Sequence, residues 1–227
     1  DDDWNAGTTI YAQPSTLSAT DMEEVWNRVK EDFWPFNIDV TTDASRYANA
    51  PMRHRMRCII TPTKAWYTDV NGSVGGVAVT GSFAKANGII FSADIPCWVF
   101  GSSMVAVAEA ISHELGHTLG LSHDGTSSAA YYTGHGSGAV GWAPIMGTGY
   151  TKSLVQWSRG EYAGANNLQD DLAIIADTSP DGSGFTNGFG FVADGAGNTR
   201  GTALALNVTG GVAQAGTITA GGVDYFT

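Results

Sequence analysis

Residues 113–124 read HELGHTLGLSHD, and this stretch determines how the rest of the chain is interpreted. Residues four apart lie above one another on a helix face, so His113 and His117 are spaced to bind one metal ion. Gly120 lacks a Cβ and can take the left-handed conformation that ends a helix, a turn that would bring His123 within reach as a third ligand. Three protein ligands on tetrahedral zinc leave the fourth position for a water molecule, whose pKa the metal lowers to about 7.

Glu114 is adjacent to a predicted ligand but is not needed as one. A carboxylate in that position can take a proton from the water and pass it to a leaving amine. A bare H-E-x-x-H match arises by chance, and a lone His on an apolar helix face is more often a core residue. With Gly120 and His123 in register the longer pattern is much rarer, and it predicts a catalytic zinc site.

At these residues the chain resembles the metzincin clan of zinc metallopeptidases, whose signature H-E-x-x-H-x-x-G-x-x-H is matched at every fixed position. The resemblance implies a methionine turn beneath the metal, for which Met146 in Pro144-Ile145-Met146-Gly147 is the candidate; otherwise Met146 fills a gap in the core. Asp124, directly after the third His, resembles the adamalysin or reprolysin branch. Asp124 could equally be only a turn residue before a glycine.

Three further side chains are considered for the site. Astacins and serralysins place a Tyr two residues after the Met, whereas Tyr150 follows Met146 by four, so Tyr150 is either a cleft or oxyanion contact or a packed aromatic. His135 is a ligand only in principle, because a metal held by three His needs its open position. We expect His135 to hydrogen-bond in its loop or to meet substrate, and His54, among arginines, to be a surface residue.

The patterns predict a mixed α/β (α+β) fold. A capping box of Thr20 and Glu23 opens a helix that runs to about Asp32. Further helices are predicted at 105–119, the active-site helix, and at 167–176, a C-terminal helix capped by Asn167. Apolar runs at 36–41, 57–61, 74–83 and 89–92 predict strands of a twisted mixed sheet, which the resemblance makes five-stranded.

The same resemblance implies that the strand around 76–82 is a sheet edge lining the cleft. An exposed edge can accept a protein or peptide substrate in extended form as an added strand, which favours an endopeptidase. The alternative is an interior strand whose glycines mark bulges.

The chain contains two cysteines, Cys58 and Cys97, and neither lies near the His cluster. In a secreted enzyme they would most simply form a disulfide bond, and the alternative is two free buried thiols.

Composition indicates three successive units. Residues 1–177 are predicted to form the metzincin-type catalytic domain, and residues 178–196 a linker rich in Ser, Pro, Asp and Gly. Residues 197–227 are similar to the opening of the bacterial pre-peptidase C-terminal domain, a small β-sandwich, and would form an incomplete β-rich segment. The alternative for this segment is a flexible Gly/Thr-rich tail.

The net charge of −11 and pI of about 4.6 disfavour nucleic acid and anionic membranes as partners. No apolar run approaches the roughly 18 residues that would span a bilayer.

We expect a secreted, extracellular bacterial zinc metalloendopeptidase, acting as a monomer. A structural Ca²⁺ ion is also considered, with Asp43, Asp94 and Asp181 in loop-like contexts but no twelve-residue calcium loop. The alternative function is a catalytically silent, zinc-stabilised binding or adhesion module.

Overall fold

The computed structural model describes residues 9–51, 54–67, 74–83, 95–179, 186–195, 197 and 199–205. Within these residues the chain has a mixed α/β architecture. The elements, in chain order, are α1 (Ala19–Asp32), α2 (Ala44–Asn49), β1 (Cys58–Ile60), β2 (Gly76–Val77), β3 (Cys97–Val99), α3 (Met104–Thr118), β4 (Trp142–Pro144), β5 (Leu154–Gln156) and α4 (Asp171–Ala176), with short 3₁₀ turns at Gly138–Val140 and Arg200–Thr202. None of the helices described is long and apolar enough to cross a membrane.

Helix α1 begins two residues earlier than the sequence predicts. Ser18, not Thr20, is the N-cap, and its hydroxyl accepts the backbone N–H of Asp21 at 3.1 Å. The Asp21 carboxylate accepts the backbone N–H of Ser18 in return. The predicted capping box is therefore wrong in register, because an Asp at the third helical position closes the same reciprocal pair that a Glu would close.

Strands β1, β3 and β2 form a three-stranded mixed sheet in that order, with β1 parallel and β2 antiparallel to β3. Strands β4 and β5 form a separate parallel pair. The structure thus confirms a mixed sheet, whereas the five-stranded detail is not seen in the described residues. Of the predicted strand at 74–83 only Gly76–Val77 is a strand, and the predicted strand at 89–92 lies outside the described residues.

The predicted strand at 36–41 is wrong. Phe36 forms only an isolated bridge with Phe191, and the residues that follow have no regular partner strand among those described. The alternating pattern still has a physical meaning, since Ile38 and Val40 pack against the core while the backbone carbonyl of Val40 accepts the indole N–H of Trp26 at 2.8 Å. Tertiary packing, not strand pairing, holds this segment extended.

Helix α3 is the central element and matches the predicted active-site helix to within one residue at each end. It packs on α1 and on all three strands of the sheet. Val25 and Val29 of α1 and Val107 and Ile111 of α3 are buried in one hydrophobic core. Each such side chain contributes about 1.5–3 kcal/mol through removal of apolar surface from water, so this interface fixes the position of the His-bearing helix.

The C-terminal helix is shorter than predicted. Its N-cap is Asp170, whose carboxylate accepts the backbone N–H of Ala173 at 3.0 Å. The predicted cap, Asn167, instead accepts the N–H of Gln169 and donates to the carbonyl of Ser122, so it binds a neighbouring loop. The predicted end at Ala176 is confirmed.

Cys58 and Cys97 face each other as register partners of β1 and β3. Both are free thiols in the structure, so the predicted disulfide is not formed there. Burial, followed by the hydrogen bond with Cys58, raises the pKa of the Cys97 thiol. Strand pairing alone accounts for their proximity, since neighbouring strands lie about 4.8 Å apart.

The described part of the predicted linker at 178–196 packs on the preceding unit. The amide of Asn187 donates to the carbonyls of Leu119 and Ile174, both at 2.9 Å. The ring of Phe189 stacks on Phe83 at 5.0 Å. The predicted β-rich segment at 197–227 lies mostly outside the described residues, and its division from the rest of the chain stays a prediction.

Two half-buried acidic residues, Asp32 and Glu109, at the α1–α3 interface predict a pH-dependent stability. Asp32 accepts the hydroxyl of Ser112 at 2.6 Å. Burial, followed by the charge of Asp32, raises the pKa of Glu109 from 4.5 to about 7. The folded state therefore binds this proton more tightly than the unfolded chain, and stability falls as pH rises from about 4.5 to about 7.

We expect Glu109→Gln to raise the free energy of unfolding by about 1–3 kcal/mol at pH ~8 and by much less at pH ~5, because the charged form is what burial disfavours. Urea unfolding followed by tryptophan fluorescence at the two pH values measures the difference. Glu23→Gln, an exposed carboxylate on α1, is the control. An equal effect of Glu109→Gln at both pH values would contradict the prediction.

Candidate metal centre

The end of α3 forms the turn that the sequence predicts at Gly120. Gly120 has a φ of +102°, its N–H donates to the carbonyl of His117, and the N–H of Leu121 donates to the carbonyl of Gly116. These two bonds are those of a Schellman motif, in which a left-handed residue just past the helix satisfies its last carbonyls. The chain then reverses toward the helix and carries His123 back to the other two imidazoles.

The three imidazoles converge. The Nδ1 atom of His113 lies 2.9 Å from the carbonyl oxygen of Ile145, and that of His117 lies 2.8 Å from the carbonyl oxygen of Leu121. A carbonyl can only accept, so Nδ1 carries the proton in both rings and Nε2 is left as the unprotonated ligand atom. The Nε2 atoms of His117 and His123 are 2.9 Å apart.

This geometry fits a bound metal ion. One nitrogen from each ring lies within 4.8 Å of the others, and the three His are the only such group of three potential ligands in the described residues. Two nitrogens at the usual bond length from a tetrahedral zinc would stand about 3.3 Å apart. The donor set, three neutral nitrogens without a carboxylate, suits zinc.

Burial keeps the three rings neutral. It lowers the pKa of His113 to about 3, helped by the charge of His117, and lowers that of His123 to about 4 for the same two reasons. Burial also lowers the pKa of His117. Neutral imidazoles are the form that binds metal, so no proton has to be displaced at neutral pH.

Glu114 follows His113 on α3 and contacts the edge strand β2. It is buried, and burial raises its pKa to about 8. A Cβ placed on Gly76 of β2 would stand 2.6 Å from its Cγ and 2.7 Å from its Oε1. The backbone of β2 therefore lies directly against this carboxyl group.

Met146 occupies the predicted turn. The N–H of Gly147 donates to the carbonyl of Pro144 at 3.0 Å, which closes the turn, and Met146 is fully buried. A Cβ on Gly116 would stand 2.5 Å from its Sδ, so the thioether packs directly on α3 between the two helical His. The carbonyl of Met146 also accepts the N–H of Asp124 at 2.8 Å, which ties the turn to the third His.

Tyr150 is 44% exposed, so it is not part of the core, and its hydroxyl feels the charge of Glu114. Its hydroxyl is 2.9 Å from where a Cβ on Gly75 would stand. Burial, followed by the charges of Glu114 and Glu109, raises the pKa of this hydroxyl, so it stays protonated and can donate a hydrogen bond. His135 is excluded from the cluster: it pairs with Trp142 and contacts the hydroxyl of Tyr132 at 3.1 Å.

Two features of the site are not predicted from the sequence. Tyr131 packs against His123 with the rings tilted and their centroids 4.3 Å apart, and nothing in the sequence distinguishes it within a loop rich in Gly, Ser and Tyr. Gly116 could have been recognised from the sequence, because a glycine inside a predicted helix lowers helix stability by about 1 kcal/mol and therefore indicates a close contact at that position. His54 is exposed as expected, Asp43 caps α2, and Asp94 and Asp181 lie outside the described residues.

Residues 13–158 match a model of the metallopeptidase family M12, of reprolysin type. The chain belongs to this family. The match covers more than half of the chain and includes the whole His cluster, so the protein is a family M12 metallopeptidase, and the family and the three-His group together support zinc as its metal. No curated protein and no solved structure matches the chain.

The close approach of β2 to Glu114 generates a test. We expect Gly76→Ala to lower kcat/KM for peptide hydrolysis by about 10²-fold, because the added methyl displaces a carboxyl group whose position is critical. Gly195→Ala, where a Cβ meets nothing within 4 Å, is the matched control and should leave kcat/KM unchanged.

The backbone carbonyl of Trp98 would also stand 2.6 Å from the new Cβ, so the melting temperature must be measured beside the kinetics. Full activity of a folded Gly76→Ala variant would contradict the proximity argument. If Gly76→Ala fails to fold, the loss of activity would instead be due to the collision with the carbonyl of Trp98.

Proposed function

We propose that this protein is a secreted, bacterial zinc metalloendopeptidase that cleaves internal peptide bonds and acts as a monomer. The observation that carries the proposal is the convergence of three neutral His nitrogens, together with a buried carboxyl group, Glu114, that follows the first of these His on the same helix. A site built only to stabilise a fold has no need of that carboxyl group. The proposed ligands are His113, His117 and His123.

Zinc held by these three nitrogens would supply Lewis acidity, both to a scissile carbonyl and to a water molecule. Glu114 then has the role of proton carrier, taking the proton from the attacking water and delivering it to the leaving amine. Burial raises the pKa of this carboxyl group, and the charge of a bound zinc ion would lower it again, which favours the carboxylate form that can accept the proton.

The position of β2 supports a polypeptide substrate. This strand pairs with β3 on one side only within the described residues, and its glycine backbone lies against Glu114. A substrate in extended form could add to its free side through main-chain hydrogen bonds, which places a peptide bond over the metal centre. We therefore propose that β2 recognises the main chain of the substrate.

The role of Glu114 is tested by Glu114→Gln. We expect it to retain one zinc per chain, measured by atomic absorption, and to lose about 10²–10⁴-fold in kcat on a peptide library, because the proton carrier is removed. Glu23→Gln is the matched surface control. Chelation of the wild-type enzyme should abolish cleavage and added zinc should restore it.

Two results would overturn the proposal. Unchanged cleavage by Glu114→Gln would remove this residue from the reaction. One zinc per chain with no cleavage of any peptide by the wild type would instead favour the silent binding or adhesion module.

Tyr150 is proposed to donate a hydrogen bond to the oxyanion that forms at the scissile carbon. If so, Tyr150→Phe should lower kcat by about 10²-fold or more with little change in KM, because the bond exists only in the transition state. Tyr131→Phe, which removes the other cleft hydroxyl, is the comparison. A rise in KM at constant kcat would make Tyr150 a substrate contact, and unchanged kinetics would give it no role.

A further inference from the structure

A second group of acidic side chains lies behind the third zinc ligand. Asp124 and Asp171 are both essentially inaccessible to solvent, at 1% and 0% exposure. Both carboxylate oxygens of Asp124 and Oδ1 of Asp171 have no hydrogen-bond partner in the described structure. Three buried, unpartnered carboxylate oxygens in one region are costly, and they require something that compensates them.

The two carboxyl groups belong to one cluster. The pKa of Asp171 is raised to about 7 by burial and then by the charges of Asp124, Asp170 and Glu161. The backbone N–H of Ser158 donates to Asp171 Oδ2 at 3.0 Å, and the hydroxyl of Ser158 donates to Glu161 at 3.1 Å. The cluster therefore joins the segment of the third zinc ligand, the loop at 158–162 and the start of α4.

The polar groups around the cluster do not neutralise it. The side-chain amide of Asn167 lies close enough to Asp124 to lower the pKa of that carboxyl group, but its well-aligned hydrogen bonds go to the carbonyl of Ser122 and to Gln169. Arg159 pairs with Glu161 at 3.2 Å, with both side chains more than half exposed. Within the described residues, no cationic side chain is paired with Asp124 or Asp171.

We propose that Asp124 and Asp171 bind a structural Ca²⁺ ion, with Glu161 as a third acidic neighbour. Ca²⁺ accepts six to eight oxygen ligands in irregular geometry, including carboxylates, amide and backbone carbonyls and water. Such an ion would compensate all three unpartnered oxygens and would connect the segment carrying His123 to α4. This site is separate from the His cluster, and its test does not depend on catalysis.

The first experiment uses the wild-type, zinc-loaded protein with calcium removed. Tb³⁺, a luminescent Ca²⁺ analogue, should bind with one-to-one stoichiometry and be excited through Tyr162, whose hydroxyl feels the charges of both Asp124 and Asp171. Ca²⁺ should displace it, and Ca²⁺ alone should raise the melting temperature, since a ligand that binds only the folded state stabilises it. Zinc content is measured before and after to show that the catalytic metal stays in place.

The second experiment uses Asp171→Asn, which keeps the oxygen that accepts the Ser158 N–H but removes the charge. We expect its Ca²⁺ affinity to fall by about tenfold or more. Asp170→Asn is the matched control, because Asn also caps helices and Asp170 is exposed on the same turn. This variant should bind Ca²⁺ like the wild type.

Absence of saturable Tb³⁺ or Ca²⁺ binding to the wild type, at up to about millimolar Ca²⁺, would overturn the proposal. So would an Asp171→Asn variant that binds Ca²⁺ as the wild type does. If Asp171→Asn raises the melting temperature and the wild type is insensitive to Ca²⁺, a shared proton or buried water compensates the pair instead. Should the variant fail to fold, the wild-type titration still decides.

Discussion

Two backbone carbonyls, those of Ile145 and Leu121, hold the helical imidazoles in the tautomer that leaves Nε2 free for a metal. Neither carbonyl belongs to α3 itself. One comes from the turn before Met146, and the other from the reversal that Gly120 makes possible. The metal centre is therefore assembled by tertiary contacts, and a helix carrying the two His alone would leave both rings free to rotate.

This dependence explains why so much of the surrounding structure is tightly packed. Gly116 and Gly76 are positions where even one added carbon would collide with Met146 or Glu114. The N–H of Asp124 donates to the carbonyl of Met146, so the segment that carries His123 is tied to the methionine turn. Preorganised groups of this kind reduce the reorganisation that the reaction would otherwise require.

Buried acidic groups are a second theme of the molecule. Asp32 with Glu109 and Asp124 with Asp171 all have raised pKa values, in each case first through burial. Burial of carboxyl groups lowers stability unless a proton, a hydrogen bond or a cation compensates them. The overall acidity of the chain adds to this cost, since general negative charge offers such groups little local compensation.

Local sequence determined the His-bearing helix, its glycine end and the methionine turn, because each depends on contacts within a few residues. His113, His117 and His123 converge as their spacing predicts, and Met146 is buried in the turn that follows. Cys58 and Cys97, in contrast, are brought together by the pairing of two strands, and the predicted disulfide bond between them is not formed.

Tertiary structure decided what local patterns could not. The segment at 36–41 alternates like a strand but packs as an irregular edge of the core, since its partners come from residues about 150 positions away. The caps of α1 and α4 moved by two or three residues because several polar side chains competed for each role. Tyr131, Tyr150 and the Asp124–Asp171 pair acquire their positions only when distant loops meet, so no spacing rule in the sequence could reveal them.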